Sequence, residues 1–229
     1  MTRERSGIAA GICALVGALI AVLLTWFIAP FPQTGAFVSD EYRYGPTFSV
    51  ELADIPIMIQ ETAYTCNVVS MAIARNYLGT ETTEYDIRTE LGVLERGTGM
   101  LPKQYLKYAN QAFAPLGMSV TLENPTTHTE ILNTISDSLL AGLPVAIFYS
   151  ALDEWNLPAY NTHYAVIYGI DFPTGSIKLS NPYGHLDVLS FSELYRGLDF
   201  TTYADTPLTF RLARKLGIVQ PNSIFVLHA

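Results

Sequence analysis

Cys66 is one of only two cysteines in the chain, and it stands at the apparent start of an apolar helix, in the stretch QETAYTCNVVSMAIARNYLG at 60–79. A thiol in a helix's first turn meets unpaired backbone N–H groups and the positive end of the helix dipole. Both favour the thiolate and lower a free-thiol pKa of about 8.5. The position suits a nucleophile; the plainer reading is a buried cysteine that fills space. A nucleophilic thiol also needs a base, and the chain offers four histidines. His128 lies in a polar run, His185 in a glycine-rich turn and His228 beside the C-terminus. His163 opens the strand-like HYAVIYGID at 163–171, where rigid backbone can present one ring nitrogen to a cleft.

An imidazole that works as a base is held by a third group. Asn181 ends the next apolar run, KLSNPYG at 178–184. If 163–170 and 175–181 form a hairpin around DFPTG, their outer ends come side by side, and the Asn181 carbonyl can accept the imidazole N–H. As an isolated Asn-Pro, Asn181 would be an ordinary turn former. Gln60, six residues before Cys66, can add a side-chain amide to the Cys66 backbone N–H and so stabilise an oxyanion. Trp155, Tyr160 and Tyr164 cluster near His163 in the sequence; they would line a substrate cleft or belong to the core.

Apolar residues at 69, 72, 73 and 77 set a helical period after Cys66, with Thr65 as N-cap and Gly79 at C′. Further helices are expected at 84–91, 102–113, 129–141 and 192–198, with a glycine-rich turn at 95–99. Strands are expected at 143–149, 163–170, 176–179 and 223–227, and Pro56 confines the apolar segment 55–59 to an edge. Helices first and strands later imply an α+β domain with antiparallel pairing.

The 24 residues from Ile8 to Phe31 carry no charge, and a helix of about 20 residues crosses a bilayer core. Arg3 and Arg5 precede this run, Asp40 and Glu41 follow it, and Cys13 lies within it. The expectation is a cytoplasmic N-terminus at 1–7, an uncleaved transmembrane signal anchor at 8–31, a Pro/Gly-punctuated linker at 32–50 and an extracytoplasmic domain at 51–229. A cleaved signal near Thr34-Gly35-Ala36 is the alternative. Setting aside Arg3, Glu4 and Arg5, 11 basic and 20 acidic residues leave a charge of about −9. Nucleic acid is not expected as a partner, because it demands basic patches. A domain with one cysteine makes no internal disulfide. No H-E-x-x-H, paired C-x-x-C or phosphate-cradling glycine loop is present, so no metal or nucleotide cofactor is expected.

The order Gln60, Cys66, His163, Asn181 resembles the papain-like cysteine peptidases. The local texture is most similar to stand-alone C39-type, double-glycine-peptidase-like domains: an apolar segment ending in Gln, a cysteine opening a helix that ends in Tyr-Leu-Gly, then HYAVIYGID and a strand ending in Asn-Pro. The resemblance spans about 55–198. It implies a papain-like fold without cofactors and a peptide or protein substrate. It also implies Cys66 as nucleophile, His163 as general base and then acid, Asn181 as orienting residue and Gln60 as oxyanion donor. Asn67-Val68 follow the cysteine where relatives usually carry Gly-Pro, and many C39-type members place Asp where Asn181 stands. Two other functions fit the same residues: a transglutaminase-like acyltransferase, and a papain-fold binding module without turnover.

Overall fold

The computed structural model describes residues 15–26, 29, 42–93, 99–151, 161–202 and 206–229. Its centre is a seven-stranded antiparallel sheet. Six strands run in the order β2 (Ser119–Glu123), β7 (Ser223–His228), β3 (Val145–Ala151), β4 (Asn161–Asp171), β5 (Ser176–Asn181) and β6 (His185–Ser190). The seventh, β1 (Ser49–Glu51), pairs with the far end of β4. Along β3 the side chains divide with the period of two that a pleated strand imposes. Val145, Ile147 and Tyr149 enter one buried cluster, while Ala146 and Phe148 pack in the other. β4 and β5 form the hairpin expected around 171–175, with Val166 opposite Ser180 and Asp171 opposite Ser176.

After residue 42 the described α-helices are, in chain order, α1 (Cys66–Tyr77), α2 (Glu84–Leu91), α3 (Pro102–Phe113), α4 (His128–Leu140), α5 (Phe191–Leu198) and α6 (Leu208–Lys215). Three local devices fix the first boundaries. Gly79, at φ 86°, continues the chain beyond the α1 C-cap in the left-handed region that glycine adopts without strain. Thr83 and Asp86 form a reciprocal capping box at the start of α2, and Pro102 occupies the first turn of α3.

The periodicity after Cys66 suggests one apolar face, but α1 is buried on every side from Cys66 to Arg75. Val69 and Ile73 feed the cluster built on α4, α5 and the central strands. Val68, Met71 and Ala72 feed the cluster built with α2, α3, Phe148 and Phe225. The helix that starts with the cysteine is thus a spindle between two cores rather than a lid on one.

Among the described residues, no helix is long and apolar enough to cross a membrane. Of the uncharged run 8–31, residues 15–26 are described; they are helical and exposed. The rest of that run apart from Ala29, most of the linker, most of the 95–99 turn, and Trp155 and Tyr160 lie outside the described residues. Segment 55–59 is no strand; it contributes a single antiparallel bridge, Ile59 to Tyr183.

Candidate active site

Four chain segments meet where α1 begins. β4 presents His163, and the end of β5 presents Asn181. The segment before α1 is clipped onto the turn after β5 by the Ile59–Tyr183 bridge and by the Gln60 N–H, which donates to the Pro182 carbonyl at 2.7 Å. Gln60, Cys66, His163 and Asn181, spread over 120 residues of sequence, therefore belong to one neighbourhood. The turn itself depends on Gly184, which lies at φ 88°, where a Cβ would come within 3.2 Å of Ile59.

The side chains behind His163 settle its tautomer. Asn181 Oδ1 lies 2.9 Å from His163 Nε2 and also accepts the Tyr183 backbone N–H at 3.0 Å, while Asn181 Nδ2 donates to Asp187 Oδ2 at 2.6 Å. A backbone N–H can only donate and a carboxylate can only accept, so the amide is fixed with its oxygen toward the ring. Nε2 must then carry the proton. In the neutral ring, Nδ1 is the free base. Tyr183 stacks on the imidazole face at 4.4 Å between centroids and 8° between planes, and Tyr149 meets the ring edgewise. His163 is buried.

At the other side of the site, Thr65 occupies the N-cap position but makes no side-chain cap; its hydroxyl donates to the Thr62 carbonyl at 3.2 Å. The N–H groups of Cys66 and Asn67 are left for the thiol, while that of Val68 donates to the Thr65 carbonyl at 3.0 Å. The backbone amides of Cys66, Asn67 and Tyr164 all act on the sulfur and favour its charged form. Tyr164 directly follows His163, so its N–H ties the sulfur to the strand that carries the base. Asn67 is buried and donates to the Tyr64 carbonyl at 3.1 Å, bracing the approach to α1.

The electrostatics differ from the sequence-based expectation of a lowered thiol pKa. Burial pushes Cys66 up to about 11, outweighing the three amides, and the nearby Glu84 carboxylate adds to the rise. Glu84 is itself buried; it accepts the Glu61 N–H at 2.8 Å and pairs with Arg88 at 3.5 Å. Burial likewise lowers His163 to about 4, against the opposing pull of its Asn181 hydrogen bond and the Asp187 charge, and with the help of His185. Desolvation disfavours the charged form of each group. Burial therefore favours a neutral thiol and a neutral imidazole at rest over a preformed ion pair.

This has a consequence for stability. His163 binds its proton less readily folded than unfolded, where its value is near 6.5. The stabilisation is therefore complete above about pH 6.5 and is lost as pH falls toward 4, by about 3 kcal/mol in order of magnitude. Denaturant midpoints measured between pH 7 and 4 should drop in the wild type. They should drop less in His163→Gln.

Two further sequence-derived positions resolve differently. Gln60 Nε2 donates to the Thr62 carbonyl at 2.7 Å, and its Oε1 is buried without a partner. Tyr164 lies in the core, not at a surface: its ring stacks on Tyr105 at 4.4 Å and its hydroxyl donates to the Met100 carbonyl at 3.0 Å. Alternation explains this, since the residue after an inward-facing His163 on a strand faces the opposite cluster. Sequence reasoning missed Asp187. The signal was there in an acidic residue within the apolar alternation HLDVLS at 185–190.

Residues 52–202 match the Peptidase_C39 like family, a span containing Gln60, Cys66, His163, Asn181 and Asp187. The chain belongs to that family. It is a cysteine peptidase by that membership. Among solved structures, it is similar to a C39-like peptidase from Bacillus anthracis, at 16% identity and a TM-score of 0.52, with 80% of this chain and 98% of that one covered. It also aligns with a double glycine motif protease from an AMS/PCAT transporter, solved in complex with its leader peptide, at 13% identity and a TM-score of 0.49 over 77% and 93% of the two chains. The first of these likenesses establishes the fold. No curated protein sequence matches the chain.

Proposed function

We propose that this C39-like peptidase cleaves peptide bonds through Cys66, His163 and Asn181 by way of an acyl-enzyme. The observation that carries the reading is the pinned Asn181 amide, which leaves His163 Nδ1 as a base on the strand whose next backbone N–H favours the Cys66 thiolate. Because both groups rest neutral, the thiol proton passes to Nδ1 as sulfur attacks the carbonyl, rather than beforehand. The imidazolium then returns that proton to the leaving amine, and water releases the acyl group. The backbone N–H of Cys66, left uncapped, faces the developing oxyanion. Gln60 joins it by turning its amide from Thr62 toward the substrate.

The uncharged run 8–31, with arginines before it and acids after it, supports a single-pass anchor with the domain on the extracytoplasmic side. In that location the substrate is an exported peptide or protein. A mixed peptide library incubated with the full-length protein in detergent, read by mass spectrometry, tests the reaction. New N-termini should accumulate in the wild type. With an added amine, stable amides in their place would reassign the protein as an acyltransferase. Added proteinase should degrade the domain in intact spheroplasts; protection there would reverse the topology.

A further inference from the structure

Asn181 is hydrogen-bonded to a carboxylate as well as to the imidazole. Asp187, on β6, lies opposite Leu179 in the register and accepts from Asn181 Nδ2 at 2.6 Å, and its second oxygen lies 3.0 Å from His185 Nε2. Its side chain is only 15% exposed, whereas that of His185 is 41% exposed. An amide bridging a carboxylate and an imidazole is polarised from one end to the other. Negative charge at Asp187 draws on the Nδ2 hydrogens and increases electron density at Oδ1, which strengthens the bond that Oδ1 accepts from the ring.

We infer that Asp187 is a positioning residue: it delivers through Asn181 the negative charge that supports the His163 imidazolium, so that the amide and the carboxylate together do the work of a directly bonded acid. The inference rests on the reading of Cys66 and His163 as a working pair. It also gives the neutral Asn181 a reason. A carboxylate bonded directly to a buried ring would itself have to be desolvated, whereas Asp187 stays near the edge, where water and His185 share its charge. The groups around the imidazole are Tyr149 from β3, Tyr183 and Asn181 from the β5 end, and Asp187 and His185 from β6. Asp187 is the carboxylate among them. The resting neutrality of His163 is compatible with this role, because the charge matters once the ring takes the thiol proton.

The test is an NMR titration of the His163 ring in full-length, histidine-labelled protein in detergent. Asp187→Asn keeps the hydrogen bond, since the new side-chain carbonyl can accept from Asn181, and removes only the charge. Its ring midpoint should fall by about one pH unit, with a matching loss in the acid-side plateau of kcat/KM. The exchanged pair Asn181→Asp/Asp187→Asn places the carboxylate on the ring, and its midpoint should rise above that of the wild type. An Asp187→Asn midpoint within about 0.2 unit of wild type would overturn the inference, even if melting temperature fell, because a purely structural role moves only the latter. Should Asp187→Asn fail to fold, the exchanged pair decides alone, and a midpoint at or below wild type rejects the charge delivery. The midpoint can be read whether or not Cys66 attacks a substrate. A shifted midpoint in a protein whose Cys66→Ser variant still cleaves peptide would reject the nucleophile and leave the relay intact.

Discussion

Cys66→Ser should lower kcat/KM for peptide cleavage by at least about 10⁴-fold, with the melting temperature almost unchanged. The size of the loss follows from the base. His163, lowered to about 4, is weak even for a thiol raised to about 11, and a serine hydroxyl is harder still to deprotonate. Fold is spared because the substitution is nearly isosteric and the hydroxyl finds the same first-turn amides. His163→Ala should cost a comparable factor, and the double variant should be little worse than either alone, since the two residues act as one unit. Alkylation adds a separate check. With thiol and imidazole both neutral at rest, the rate in the unliganded wild type should be slow at pH 7 and climb toward pH 11. A fast plateau extending into the acid range would instead reveal a resting ion pair, and it would contradict the effect of burial described above.

The second large effect is on stability. Tyr164→Ala should destabilise the protein by about 3–5 kcal/mol, the range for removing a large buried aromatic. The ring fills space between Tyr105, Phe148 and Phe225, and its loss also leaves the Met100 carbonyl without its hydroxyl partner. Tyr164→Phe should cost about 1 kcal/mol and leave the KM for peptide unchanged. A raised KM in Tyr164→Phe, with stability intact, would return the residue to the substrate cleft. Chemical denaturation and initial-rate kinetics on the same samples separate these outcomes.

The elements that were legible in the sequence are those with local signals. Gly79 after a last turn and Pro102 at a first one mark α1 and α3, and the β4–β5 hairpin shows in its two apolar runs and the Asp-Phe-Pro-Thr-Gly turn between them. Such a hairpin brings its outer ends together, which is why residues as far apart as His163 and Asn181 were readable as neighbours. β6 was not legible because its alternation is inverted: Val188 is 64% and Leu186 43% exposed, while Asp187 between them faces inward to Asn181. An edge strand with an inward charge and outward apolar residues defeats pattern reading, and the site's carboxylate was missed with it. β1 and β2 are three and five residues long, too short to set a period. α6 buries no residue fully, and only Phe210 and Ala213 rest against a core cluster, too short an apolar signal to recognise. The thiol was misjudged for a different reason. Sequence shows where a helix starts but not how deeply that start is buried, and depth decided the sign of the shift.

The all-round burial of α1 bears on how this enzyme fails. A nucleophile carried on a loop or an exposed helix can be lost by local fraying while the rest of the molecule stays folded. Here the first ten residues of the helix are wedged between two cores, so no small opening displaces Cys66 without parting the sheet from its helices. The amides of that helix should be among the last to exchange with deuterium. On heating, inactivation should follow the calorimetric transition step for step, leaving no warm interval in which the domain is folded but inert.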